Sequence, residues 1–353
     1  MAVPVPVFDG HNDVLLRLYK STSNDAVADF LAGEEAGHID LQKAKAGSFV
    51  GGLFALYSPA AVKPGGFFDG MTGGRYELPL PAPLTQEEAR ESVVAELAIL
   101  LKLERASQGA VAICTSTADI RSAIARGALA TVVHLEGAEA IDADLEFLEV
   151  LYAAGLRSIG PVWSRTNIFG HGVPFHFPAS PDLGDGLTAA GERLIAACND
   201  MKILIDLSHI TEKGFWDVAR LSKAPLVATH SNAHALCPSP RNLTDRQLAA
   251  IRDSKGMVGL NFATCFLRPD GSMQADTGID LMVQQIDYLL EKLGEDHVGL
   301  GSDFDGAVVP EKIGSAAGLQ VLFDALREKG YAEPLLAKLG STNWLDLLQR
   351  TIG

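Results

Sequence analysis

Nine short apolar runs recur along the chain with amphipathic stretches between them, and this alternation limits the possible folds more than any other feature. The runs are Val5–Phe8, Phe54–Tyr57, Val111–Cys114, Ala130–Leu135, Ser158–Val162, Ile203–Leu207, Leu226–Thr229, Met257–Asn261 and Val298–Gly301. The stretches between them carry helix starts. Thr85 precedes Gln86-Glu87-Glu88, a capping box that opens a helix running to about Arg105, and Thr244 with Gln247 repeats the device. Thr211 caps a short helix holding Phe215 and Trp216, which Gly214 weakens. Repeated strand-then-helix units build a parallel sheet, and eight or nine of them close into an α/β barrel of the (β/α)8, TIM-like type. The rival is an open doubly wound sheet, but no glycine-rich phosphate loop follows the early strands. No repeat or linker divides the 353 residues, so one barrel domain over 1–353 is expected. Only Pro59–Pro83 breaks the rhythm, with five Gly and five Pro. Such an insertion beside a barrel mouth reads either as a lid or substrate wall or as a plain surface excursion.

Composition narrows the partners. Hydrophobic residues at 47 % and charged residues at 21 % exclude a disordered, collagen-like or coiled-coil chain. A formal net charge of −15 argues against nucleic acid, whose phosphates call for basic stripes. The four cysteines, Cys114, Cys198, Cys237 and Cys265, form no C-x-x-C pair, as suits a reducing compartment. The N-terminal MAVPVPVF lacks a basic leader region, and apolar stretches such as Leu97–Leu101 fall far short of the ~20 residues of a membrane span. A cytoplasmic enzyme without membrane or nucleic-acid partners is expected, and a homo-oligomer is compatible with the sequence.

Polar residues interrupt these runs at their C-terminal ends, where a barrel enzyme keeps its site. The first run leads into Asp9-Gly10-His11-Asn12-Asp13, where alternation puts His11 and Asp13 on one face. The fourth ends His134-Leu-Glu136-Gly137. Its carboxylate must be paired, hydrogen-bonded or bound to metal, because burying it bare is too costly. His134 lies deeper and reads as a packed or supporting histidine. Asp206-Leu-Ser208-His209, Thr229-His230-Ser231 and Ser302-Asp303 close three further runs. Taken singly, each of these residues is more readily structural. Jointly, His11, Asp13, Glu136, His209, His230 and Asp303 come from five strand ends, and nitrogen ligands mixed with carboxylates in this number suit two zinc ions. Asp206 either orients a metal-bound histidine or is a strand Asp satisfied by backbone.

These motifs resemble the zinc dipeptidases of the membrane (renal) dipeptidase type, within the amidohydrolase-like barrels. The matching segments are DGHND at 9–13, HLEG at 134–137, DLSH at 206–209, THSNAHALC at 229–237, SPRNLTD at 239–245 and GLGSDFDG at 299–306, in the family's order. The resemblance implies that His11 and Asp13 bind one zinc and His209 and His230 the other, with Glu136 bridging. It also implies that Arg241 holds the substrate's terminal carboxylate, that Asp303 handles the proton, and that L,D as well as L,L dipeptides are accepted. The chemistry agrees: a hydroxide shared by two Zn²⁺ is available near neutral pH, and a guanidinium matches a carboxylate bidentately.

Two positions depart from the renal type. Trp163 stands where a substrate-touching His is expected, with His171 in the following loop as its candidate substitute, and Phe266 stands where a Tyr hydroxyl is expected. Both changes make the pocket more apolar. Another metal-dependent amide or lactone hydrolase on the same barrel remains the alternative, as does a binding protein that has lost its metals. Arg241 separates the first pair, since a neutral ring substrate needs no carboxylate clamp.

Overall fold

A computed structural model describes residues 3–59 and 70–353 of the chain. The strands are β1 (Val7–Asn12), β2 (Phe49–Tyr57), β3 (Tyr76–Glu77), β4 (Val111–Ile113), β5 (Leu129–Glu136), β6 (Leu156–Gly160), β7 (His176–Phe177), β8 (Leu204–Ile205), β9 (Val227–Ala228), β10 (Met257–Leu260) and β11 (Val298–Leu300). Eight of them run in the parallel order β8-β6-β5-β2-β1-β11-β10-β9. A single bridge between Asp206 and Val227 joins β8 to β9 and brings the ends of that order together as a barrel. All nine apolar runs overlap a strand. The strand of the third run, β4, stands outside that order and pairs with the first half of β5, and β6 takes over the pairing from Val133 onward.

Two differences from the sequence reading have local causes. The first strand runs on through Asp9-Gly10-His11-Asn12, residues poor in β-propensity, because β2 and β11 pair with it on both sides. Asp9 fastens that junction by accepting the Ser302 N–H at 2.7 Å and the Ser302 hydroxyl at 2.8 Å. Conversely, β8 and β9 are shorter than their apolar runs. The Thr229 N–H donates to Asp206 Oδ1 at 2.8 Å, so a side chain replaces the next rung of the ladder.

Helices fill the connections. Gln86–Ala106 and Asp245–Asp253 start at the expected capping boxes, and Glu212–Leu221 starts with the Gly214 N–H donating to the Thr211 hydroxyl. The C-terminal helix Asn343–Thr351 contributes Trp344, Leu347 and Leu348 to a buried cluster with Phe8, Leu53, Val132, Val227 and Met257. Trp344 donates its indole N–H to the Leu300 carbonyl at 2.8 Å. A Cβ at Gly10 would lie 2.4 Å from the Trp344 ring, so only glycine lets that ring in.

Residues 60–69 of the Gly/Pro-rich stretch lie outside the described residues. Its remainder holds β3, which pairs antiparallel with β7 and ties the 70–83 segment to the loop after β6. No helix among the described residues is long and apolar enough to cross a membrane.

Candidate metal centre

The six strand-end residues meet at one end of the barrel. His11, Asp13, Glu136, His209 and His230 are all buried, while Asp303 is only partly so. Glu136 Oε1 is the hub, lying 3.1 Å from His209 Nε2, 3.5 Å from His230 Nε2 and 3.7 Å from His11 Nε2. His11 Nε2 is 3.4 Å from Asp13 Oδ2, and the Nε2 atoms of His209 and His230 are 3.1 Å apart. Four ligands at 2.0–2.1 Å from a tetrahedral ion would stand about 3.3 Å from one another, so these spacings suit a cation among them. His11 and Asp13 make one pair, His209 and His230 the other, and Glu136 touches both.

Hydrogen bonds behind the histidines prepare them as ligands. The Thr229 hydroxyl donates to Asp206 Oδ2 at 2.6 Å, so its oxygen accepts from His230 Nδ1 at 2.8 Å. That places the proton on Nδ1 and leaves the Nε2 lone pair facing the cluster. Ser164 Oγ lies 2.9 Å from His209 Nδ1 and orients that ring. Asp206 thus acts on His230 through Thr229, and its Oδ1 also accepts the backbone N–H of Ser208 and Thr229. His134 packs edge-on to His11, with Nδ1 2.8 Å from Ser158 Oγ, and burial holds its pKa down near 3.

The electrostatics of the cluster suit a cation. Burial, together with Asp13 and Asp303, pushes the Glu136 carboxyl well above its usual range. Burial opposes charge on His11, yet Glu136 and Asp13 outweigh it and raise the ring to about 10. Burial keeps His209 and His230 neutral, as metal ligands must be. Neither ring nitrogen of His11 has a hydrogen-bond partner among the described residues. A buried imidazole so placed among crowded carboxylates fits a cation-binding group.

The other expected residues divide. Arg241 is buried beside the cluster, donating from Nη2 to the His230 carbonyl at 3.0 Å and from Nη1 to Ser231 Oγ at 3.4 Å. Its guanidinium stands 5.2 Å from the Phe266 ring, and its Nε has no partner among the described residues. Trp163 lies 5.6 Å from the His209 ring, with Tyr57 at 5.2 Å and Phe175 at 5.7 Å, and Phe266 stacks on Phe175. These rings form an apolar wall. His171 Nδ1 lies 3.2 Å from the Gly186 carbonyl. Beside the cluster, a cavity of about 430 Å³ is lined by Met71, Thr72, Met273, Gln274 and residues 305–308.

Sequence reasoning passed over three supports. His38 Nδ1 accepts the Asp305 N–H at 2.8 Å. Asp305 in turn accepts the His38 N–H at 2.6 Å and pairs with Arg17 Nε at 3.2 Å. Thr229 sat inside a quoted motif without a role. Asn261 closes an apolar run just as the ligands do, and that rule would have found it; a neutral amide simply does not suggest a zinc ligand.

A parallel barrel with a buried His/Asp/Glu cluster at one end of its strands defines a metal-dependent hydrolase. The chain belongs to the membrane dipeptidase family (peptidase family M19), whose pattern matches residues 1–351, and it is accordingly a metal-dependent dipeptidase. It is 53 % identical over 254 residues to an uncharacterized protein in the pqqA 5′ region of Klebsiella pneumoniae, covering 72 % of this chain and 94 % of that protein. It is 44 % identical over 289 residues to an uncharacterized protein in the PQQ-III 3′ region of Acinetobacter calcoaceticus, covering 82 % and 90 %. A Rhodobacter sphaeroides metallo peptidase, solved with a phosphinate mimic of the dipeptide L-Ala-D-Ala, superimposes with a TM-score of 0.95. It is 53 % identical, with 99 % of this chain and 100 % of that one covered.

Proposed function

We propose that the protein is a binuclear zinc dipeptidase that hydrolyses small dipeptides, L,L and L,D alike, in one barrel domain of a cytoplasmic enzyme. The observation that carries this reading is Glu136 Oε1, within 3.7 Å of three histidine nitrogens that belong to two separate ligand pairs. Bound here, zinc would supply an acidified water and polarise the scissile carbonyl near neutral pH. His11 and Asp13 would hold one ion, His209 and His230 the other, and Glu136 both.

The remaining residues act on the substrate. Arg241 fixes a free terminal carboxylate through N–H groups not taken up by His230 and Ser231, which sets the length at one residue past the scissile bond. Asp303, at the edge of the cluster, takes the attacking water's proton and returns it to the leaving amine. Trp163, Phe175 and Phe266 wall the pocket and keep water from it. Acceptance of a D residue is supported by the dipeptide mimic bound to the Rhodobacter sphaeroides relative.

Elemental analysis and a dipeptide panel test this together. Two zinc ions per chain are expected, with activity on dipeptides and little on tripeptides or C-terminal amides. Arg241→Ala is expected to cost about 2–4 kcal/mol in kcat/KM, the size of a lost desolvated charged hydrogen bond. Equal turnover of a dipeptide and its amide would favour a general amide hydrolase instead.

A further inference from the structure

The Asn261 side chain has no freedom to turn. Its Oδ1 accepts the Ala263 backbone N–H at 2.6 Å, and a backbone N–H can only donate, so the carboxamide oxygen must lie on that side. The Nδ2 group then faces two acceptors, Asp303 Oδ2 at 2.9 Å and the His230 carbonyl at 3.3 Å, and both of its hydrogens are used. The Asn261 N–H donates in turn to Asn232 Oδ1 at 2.9 Å, and Asn232 Nδ2 donates to the carbonyls of Asn261 at 2.9 Å and Phe266 at 3.2 Å. Both asparagines are fully buried. A rigid lattice therefore aims one amide hydrogen at one oxygen of Asp303.

The other oxygen has a different setting. A Cβ built on Gly306 would lie 2.7 Å from Asp303 Oδ1 and 2.1 Å from Asp13 Oδ2, so Oδ1 faces the same space as the metal-side carboxylate. The backbone of Asp303 is left-handed, with φ at 57°, and its N–H is held by the His11 carbonyl at 3.0 Å. With its main chain fixed, Asp303 keeps only its two side-chain torsions, and the Asn261 bond to Oδ2 restrains them.

We propose that Asn261 is the positioning residue for Asp303, pinning Oδ2 and so assigning the proton transfer to Oδ1. This rests on the reading of Asp303 as the proton carrier. It adds which oxygen acts and which neighbour dictates that. The Nδ2 bond to the His230 carbonyl also ties the proton carrier to the strand end that bears a metal ligand, so the two are set at a fixed separation.

A double-mutant cycle in the metal-loaded enzyme tests it. Asn261→Asp keeps an acceptor for the Ala263 N–H and replaces the donor by a second carboxylate oxygen, which brings a charge with it. It is expected to lower kcat about 10–100-fold, the scale of a misplaced catalytic group, with KM and metal content nearly unchanged. In an Asp303→Asn background the same substitution is expected to cost less than about 2-fold, because the group it positions no longer carries a proton. Asn261→Ala, which removes the donor without adding charge, goes through the same cycle and is expected to show the same loss of effect. An equal fractional loss in both backgrounds would overturn the proposal and leave Asn261 as packing. Wild-type turnover in metal-loaded Asp303→Asn alone is a separate outcome, and it would remove the proton-carrier reading itself.

Discussion

Thr229 Oγ1 lies 2.8 Å from His230 Nδ1, and the direction of that bond is dictated from outside the pair, since the hydroxyl hydrogen is already given to Asp206 at 2.6 Å. A carboxylate one residue further back thus selects the tautomer in which His230 Nε2 is free to bind metal. Thr229→Val keeps the shape and removes both bonds. Metal affinity is expected to fall about 10–100-fold, as for other partners of ligating histidines. Competition with a chelator measures this, and unchanged retention would mean that packing alone orients the ring.

Glu136→Gln tests the bridge. The amide keeps the volume but loses the charge shared between the two histidine-bearing pairs. Metal content is expected to drop from two ions per chain to one or none, read by elemental analysis of folded protein. A fully loaded variant would take the bridging role from Glu136.

Trp163 forms part of the wall against His209, with ring centroids 5.6 Å apart, but offers no ligand atom to the cluster. Trp163→Ala is expected to reorder preferences across a dipeptide panel while metal content stays constant. An unchanged order would place Trp163 in the core and outside the pocket.

Glu96 supplies a pH test at a carboxyl that is not itself a proposed ligand. It is buried in the Gln86–Ala106 helix, where Oε2 accepts the Tyr57 N–H at 2.7 Å and Oε1 has no partner among the described residues. Burial raises its carboxyl well above the usual range. The folded state therefore holds this proton more tightly than the unfolded chain does. The associated stability is complete below the unfolded pKa of about 4.3 and is lost as pH rises toward the folded value. Glu96→Gln removes that loss. Thermal melts are expected to coincide near pH 4 and to favour the variant by on the order of 1–2 kcal/mol near pH 8. A constant difference across pH would place the charge elsewhere.

The barrel was legible because its nine apolar runs are local features, and the ligands because a carboxylate or imidazole after such a run cannot be buried unpaired. Partnerships across the chain left no such mark. Asp305 meets His38 at a separation of 267 residues, and no spacing rule reaches that far. Asn261 followed the strand-end rule but lacked a charge to draw notice. The small β3–β7 ladder arises from tertiary pairing of two segments with little pattern of their own.

The seam between the first and last barrel strands has a consequence for synthesis. Asp9 and Ser302, joined across it, are separated by 293 residues. At ribosomal speeds of about 5–20 residues per second, the strand bearing His11 and Asp13 waits roughly 15–60 s for its neighbour to be made. Over that interval the strand bearing His11 and Asp13 lacks the neighbour that fastens it, although Glu136, His209 and His230 are all made well before Ser302. The ring that brings these side chains together is thereby left open until its last strand is made, and a chain that stalls before Ser302 is translated lacks the clasp on Asp9 that closes it.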